Sequence, residues 1–166
     1  MNQVLLTILI SFIAFLGQVI GELLARISPE EMKPGRKYFS FFEIFFIFVI
    51  CILGLVLFPI NIWLLLLGIV FGLIFKKTYS YFGGLLFGLT SNYLFLFSTL
   101  VFIYGLFYGT LNGSFKDIRK LVFDLLLFFA AGAVVLFVKF DLSSVFIGAL
   151  ITQLLFLCLK IRKSNT

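Results

Sequence analysis

The sequence predicts an all-α membrane protein, a bundle of transmembrane helices that forms a single integral membrane domain over residues 1–166. Of its residues, 63% are hydrophobic and only 12% are charged, which is about half the charged share of an ordinary soluble domain. The apolar residues also form runs long enough to cross a bilayer. A soluble protein of this size could not hide so much apolar surface, so most of the surface must face lipid.

Six apolar runs make up most of the chain. A helix rises about 1.5 Å per residue and the hydrocarbon core of a bilayer is about 30 Å thick, so one span needs about 20 residues. The runs do not alternate between apolar and polar residues as β-barrel strands do, and backbone groups in lipid must pair internally, so each run predicts a helix. The runs cover residues 4–27, 41–58, 62–75, 81–111, 121–138 and 142–159.

The run over residues 81–111 decides the number of spans. As one helix it would be about 46 Å long, so two short spans that turn near residues 96–98 are the other interpretation. Six spans divide the 13 Lys and Arg residues seven against six, whereas seven spans place all except Lys139 on one side. Because basic residues collect in cytoplasmic loops, seven spans are favoured, with the N-terminus outside and the C-terminus inside, and six spans are the alternative. A re-entrant hairpin in this run satisfies the same rule.

The segment after the first run carries its own helix signals. Ser28, Pro29 and Glu31 match a capping box, with proline at the first helical position. The Pro34-Gly35 pair that follows is typical of a turn. We therefore expect one short interfacial helical turn between the first two spans.

Glycines recur at a spacing of four residues. The 14 glycines form five such pairs, where chance gives about one, and this spacing is typical of close helix packing in membranes. The packing is interpreted as a seam within the chain, as the seam of a homo-oligomer or partner membrane subunit, or as a glycine-lined solute path. The predicted packing residues are Gly17, Gly21, Ala25, Gly68, Gly72, Gly84, Gly88, Gly105, Gly109 and Gly113.

Ionisable residues inside the spans form the candidate site, because charges in a membrane are costly. Gln18, Glu22 and Arg26 recur at every fourth position, so they lie along one helix face, and Glu22 can pair with Arg26. The seven-span topology places Glu43 and Asp124 at the depth of Glu22. The functional interpretation is a buried polar site or the start of a proton or ion path. In the structural interpretation, the Arg26 side chain reaches the lipid headgroups. Glu43 and Asp124 then lie in the first turns of their helices, where the helix dipole favours a carboxylate.

Several chemistries have no support in the sequence. It contains no His, its two cysteines stand apart within apolar runs, and it lacks recognisable catalytic motifs, so neither a metal site nor a cofactor is expected. The net charge of +6 comes from residues that flank the spans. These residues imply contact with anionic membrane lipids and do not imply nucleic acid.

Three classes of function fit these observations. The favoured one is a small-solute or ion transport or channel component, expected in the plasma membrane. The alternative is a structural or assembly subunit of a membrane protein complex, which the glycine pairs also suit. The third is an enzyme that acts on a lipid phosphate at the cytoplasmic leaflet.

Overall fold

The chain is helical throughout the part that the structure describes. A computed structural model describes residues 3–75, 78–89, 91–112, 118–137 and 142–164, so the predicted packing residue Gly113 lies outside it. These residues form seven α-helices and no strand, which confirms the predicted all-α class. The helices are α1 (Gln3–Ile27), α2 (Pro29–Leu57), α3 (Ile62–Ile74), α4 (Thr78–Gly88), α5 (Ser91–Asn112), α6 (Ile118–Phe137) and α7 (Ser143–Ser164).

Five of the described helices, α1, α2, α5, α6 and α7, are long and apolar enough to cross a membrane. The other two are short, with 13 residues in α3 and 11 in α4. At about 1.5 Å per residue they rise about 20 Å and 16 Å, less than the hydrocarbon core of about 30 Å. The architecture is that of a multi-pass membrane protein that includes two helices shorter than a full span.

The long apolar run divides into α4 and α5, but the expected turn at residues 96–98 is wrong. The helices separate instead at Leu89, and α5 is continuous through residues 96–98. Ser98 and Thr99 donate hydrogen bonds of 2.9 and 2.8 Å from their hydroxyls to the Phe95 carbonyl. Because these hydroxyls are satisfied within the helix, they do not interrupt it.

The start of α2 agrees with the capping box, but the expected turn after it is wrong. The helix begins at Pro29, directly after Ser28, and continues through Pro34 and Gly35. Proline removes one N–H donor, which here frees the carbonyl of Glu30. Pro34 is exposed near the helix start, where that carbonyl can bond to water, so the helix continues.

Contacts between helices group the chain into two compact units. Unit 1 contains Met1–Phe46 and Leu89–Leu126, and unit 2 contains Ile47–Gly88 and Leu127–Thr166. In unit 1, α1 packs along α5, and in unit 2, α7 packs along both α3 and α4. The single domain stays a prediction.

In unit 1, glycines of α1 lie directly against the backbone of α5. A Cβ atom at Gly17 would overlap the carbonyl oxygen of Phe102, and one at Gly21 would overlap that of Leu106. Moving four residues forward along α1 thus moves the contact four residues forward along α5. The two helices therefore run in the same direction.

Unit 2 contains a second glycine seam of the same kind. A Cβ atom at Gly68 of α3 would overlap the carbonyl oxygen of Val145, and one at Gly72 would lie 2.9 Å from that of Ala149. Gly148 of α7 in turn lies against the α3 backbone. The residue numbers of the contacts again rise together on both helices, so α3 and α7 run in the same direction.

The remaining predicted glycines are less closely packed against backbone. Gly84 lies against the ring of Phe146, whereas a Cβ atom at Gly88 would make only an ordinary contact of 3.7 Å with Val135. Gly105 is buried within α5. Among the described glycines that the spacing of four predicts, close backbone approach therefore occurs in the two seams.

Polar side chains satisfy the backbone at the end of α3. The Gln153 Nε2 donates to the carbonyls of Gly72 at 2.7 Å and Phe75 at 3.3 Å. The Tyr81 hydroxyl donates to the carbonyls of Phe75 at 2.6 Å and Phe71 at 3.1 Å. The last carbonyls of a helix have no partner within it. These contacts satisfy the carbonyls at the end of α3.

Candidate functional site: a buried acidic cluster in unit 1

Three carboxylates from three helices are buried in unit 1. The exposed fractions are 8% for Glu22 of α1, 4% for Glu43 of α2 and 3% for Asp124 of α6. We call these three residues the acidic cluster. Buried carboxylates are rare unless they are paired or functional, so each one needs a physical explanation.

The helix dipole does not explain Glu43 or Asp124, and this expectation from the sequence is wrong. Since α2 begins at Pro29 and α6 at Ile118, both carboxylates lie beyond the first turn of their helices. The expectation took the start of each apolar run as the start of its helix, but both helices begin earlier, in the residues before those runs. The favourable interaction with a helix N-terminus falls off within one turn.

Gln18 joins two members of the acidic cluster. Its Nε2 donates hydrogen bonds to Glu22 Oε1 at 3.3 Å and to Asp124 Oδ2 at 3.4 Å. Because both oxygens lie within 3.4 Å of one nitrogen, the two carboxylates are close neighbours. The Gln18 side chain is 1% exposed, and its Oε1 accepts no hydrogen bond from the described residues.

The glycine seam of unit 1 passes directly beside this pair. A Cβ atom at Gly109 of α5 would overlap the carbonyl oxygen of Gln18 and would lie 2.9 Å from the backbone nitrogen of Glu22. Any larger residue at this position would push α5 away from the turn of α1 that carries both side chains. Close helix packing therefore helps to position the site.

Tyr108 lies next to Gly109 in the sequence and belongs to the same site. It interacts electrostatically with Asp124, Glu43 and Glu22. Its ring stacks on that of Tyr104, with centroids 5.8 Å apart. The sequence pattern did not indicate Tyr108, because a tyrosine in an apolar run is usually a packing residue.

Stacked aromatic rings hold α2 against α5 near the acidic cluster. The rings of Phe42 and Phe46 stack on Phe107, with centroid separations of 5.1 and 5.7 Å. Glu43 directly follows Phe42 and Phe107 directly precedes Tyr108. These contacts therefore place the part of α2 that carries Glu43 beside the part of α5 that carries Tyr108.

Basic residues lie at the ends of the same helices. Lys120 is exposed on α6, interacts electrostatically with Glu22, and donates a 3.1 Å hydrogen bond from Nζ to the carbonyl of Asn112. Arg26 is exposed in the last turn of α1, after the half-buried Ala25. An arginine at a helix C-terminus suits the dipole and reaches polar surroundings easily. The buried part of the predicted polar site therefore consists of Gln18 and the acidic cluster.

Burial of these negative charges is costly. Two unit charges about 7 Å apart repel each other by about 2 kcal/mol at an effective dielectric constant of about 20, in addition to the cost of burying each charge. Within the described part of the chain, no three His, Cys, Asp or Glu side chains converge closely enough to hold a metal ion. The arrangement is suited to binding protons or a weakly coordinated cation.

The fold and this site together define a helical membrane protein with ionisable residues buried inside a helix bundle. Comparisons of the chain with protein-family models, with curated proteins and with solved structures find no match. The function is therefore inferred from the geometry of the site.

Proposed function

We propose that this chain is an ion or small-solute transport or channel component of the plasma membrane, in which the acidic cluster binds the cation that is moved. The main support for this proposal is that the Gln18 amide bonds to both Glu22 and Asp124 in buried surroundings. Ionisable residues that face the interior of a membrane bundle are typical of ion pathways and proton relays.

The direction of the helices in unit 1 argues against the six-span alternative. Since α1 and α5 run in the same direction, an odd number of crossings separates them. If α4 and α5 formed one span, only two crossings would lie between the first span and that one. The proposed orientation has the N-terminus outside and the C-terminus inside, in agreement with the positive-inside rule.

A structural or assembly subunit is the alternative function. That role predicts glycine grooves that are open to a partner or to a second copy of the chain. The grooves at Gly17, Gly21, Gly68 and Gly72 are instead filled by the α5 and α7 helices of the same chain. The filled seams favour the transport proposal over this alternative.

Flux measurements on reconstituted vesicles test the proposal. The full chain is placed in liposomes, a potassium diffusion potential is imposed with valinomycin, and entry of Na⁺ and H⁺ is followed with enclosed dyes. We expect flux of at least one cation above that of protein-free vesicles, and a reduction of about tenfold in Glu22→Gln and Asp124→Asn.

The matched control is Glu30→Gln, which removes the same charge from an exposed carboxylate in the first turn of α2. It should conduct like the unmodified chain. Flux equal to that of protein-free vesicles, or an equal loss in Glu30→Gln, contradicts the proposal.

A further inference from the structure

We propose that Lys120 forms an electrostatic barrier beside the acidic cluster, because its positive charge makes the cluster harder for a cation to enter. This inference rests on the proposed function and names a residue that regulates access to the same site. Three observations support it: the place of the Lys120 ammonium at the end of α5, its position on α6 relative to Asp124, and its interaction with Glu22.

The first observation is the place of the Lys120 ammonium group. Its Nζ donates a 3.1 Å hydrogen bond to the carbonyl of Asn112, the last residue of α5. Asn112 lies one turn after Gly109, about 4.5 Å farther along the helix axis. A Cβ atom at Gly109 would lie 2.9 Å from the backbone nitrogen of Glu22. The ammonium therefore lies about one helical turn from the part of α1 that carries Glu22.

The second observation is the change in exposure along one face of α6. Lys120 is exposed, whereas Asp124, one turn later on the same face, is only 3% exposed. Asp124 accepts a 3.4 Å hydrogen bond from Gln18, which also bonds to Glu22. Lys120 therefore lies between the acidic cluster and the exposed end of the helix.

The third observation is the electrostatic interaction between Lys120 of α6 and Glu22 of α1. A positive charge beside a carboxylate attracts it and repels any cation that approaches the same carboxylate. Because Lys120 is exposed, solvent weakens both effects. We therefore expect the Lys120 charge to change the affinity of the acidic cluster for a cation by about two- to fivefold.

The end of α5 keeps the ammonium group in this place. The last carbonyls of a helix have no partner within it and favour a positive charge. A lysine side chain is long and flexible, so without such a contact its charge would occupy many positions. The bond to Asn112 therefore keeps the charge near Glu22. In the proposed topology this end of unit 1 faces the cytoplasm, so the barrier acts on the cytoplasmic side of the acidic cluster.

Cation flux tests the inference, with the same vesicles and the same dyes for Na⁺ and H⁺. For the cation that the unmodified chain moves, Lys120→Gln should raise the initial rate at low cation concentration about two- to fivefold, because the repelling charge is lost. Lys120→Arg keeps the charge and should conduct like the unmodified chain. Arg119→Gln is the matched control, since it removes an exposed charge from the adjacent position, about 100° round the helix.

The dependence on salt separates an effect of charge from a structural effect. When an inert salt raises the ionic strength from about 0.01 M to about 1 M, the Debye length falls from about 30 Å to about 3 Å. The difference in flux between Lys120→Gln and the unmodified chain should then shrink. Loss of the bond to Asn112 alone would give a difference that salt does not change.

A double-mutant cycle tests the interaction between Lys120 and Glu22 without any need for transport. The stability of the full chain in detergent is compared for Glu22→Gln, for Lys120→Gln and for both changes together. If the Lys120 charge acts on Glu22, the two effects should not add, and the coupling should fall as salt rises. Additive effects would mean that Lys120 only caps α5, and they overturn the inference.

The outcomes separate this inference from the proposed function. Flux that is equal in Lys120→Gln and the unmodified chain, or that rises equally in Arg119→Gln, overturns the barrier and leaves the proposed function intact. Absence of flux from every chain refutes the proposed function, and the double-mutant cycle then decides whether the Lys120 charge acts on Glu22.

Discussion

Gln18 and Asp124 are 106 positions apart in the sequence, yet the Gln18 Nε2 donates a 3.4 Å hydrogen bond to the Asp124 Oδ2. The bond connects α1 to α6 beside the point where Gly109 of α5 contacts the Gln18 backbone. Three helices thus meet at one buried polar group. Loss of the Gln18 amide should therefore lower the stability of unit 1 and change cation binding by the acidic cluster.

Gln18→Leu should destabilise the protein by about 2 kcal/mol, the usual scale for a hydrogen bond to a charged group. The substitution keeps the approximate size of the side chain but leaves Glu22 and Asp124 without their common donor. Unfolding in a denaturing detergent, followed by loss of helical circular dichroism, measures the change. The control is Gln3→Leu, at an exposed position on the same helix, and equal stability of the two variants would show that the bridge has no energetic role.

Gly21→Ala should destabilise the protein by about 1–3 kcal/mol, because the added methyl group overlaps the α5 backbone at Leu106. Gly88→Ala is the matched control, since its Cβ atom meets only Val135 at 3.7 Å. In a helix this control change is favourable by up to about 1 kcal/mol. Thermal unfolding in detergent compares the two variants, and a Gly21→Ala protein as stable as the control would contradict the described seam.

Tyr81→Phe should cost about 1 kcal/mol and loosen the end of α3, because the Phe75 carbonyl loses a 2.6 Å hydrogen bond. Tyr38→Phe removes the same hydroxyl from an exposed ring and should have little effect. Hydrogen exchange resolved by mass spectrometry locates the change. Faster exchange confined to the segment around α3 and α4 is the expected result, whereas unchanged exchange there would show that the cap is dispensable.

The topology gives a prediction that does not depend on the site. A reporter that is active only in the cytoplasm should be active when fused to the C-terminus and inactive when inserted after Asp141. Twelve of the 13 basic residues then lie on the cytoplasmic side. A C-terminus that reports outside, together with a first loop that reports inside, would show that residues 81–111 cross only once.

The sequence predicts the helical class well because apolar runs and their period reflect local physics. It also indicates Gln18, Glu22 and Asp124 as residues that need an explanation. It does not predict that one amide joins them, since a hydrogen bond across 106 positions depends on how the helices pack. Tyr108 was missed for the same reason, because its position beside three carboxylates becomes visible only when α2, α5 and α6 are assembled.

Glycines show the same division between local and long-range information. The spacing of four identifies the seam residues Gly17, Gly21, Gly68 and Gly72. It misses Gly83 and Gly148, which lack a second glycine four positions away although a Cβ atom at either would overlap a neighbouring backbone carbonyl. Helix ends are also poorly predicted, because polar residues such as Ser98 bond within the helix and do not end it.

Carbodiimide labelling combined with flux measurements tests whether the acidic cluster binds the transported cation. The apolar reagent dicyclohexylcarbodiimide reacts with protonated carboxyls in apolar surroundings, and mass spectrometry of the labelled chain identifies the residue. We expect an adduct on Glu22 or Asp124, no adduct on Glu30, and loss of cation flux in proportion to labelling. Full labelling of the pair with undiminished flux, or labelling only outside the acidic cluster, would contradict it.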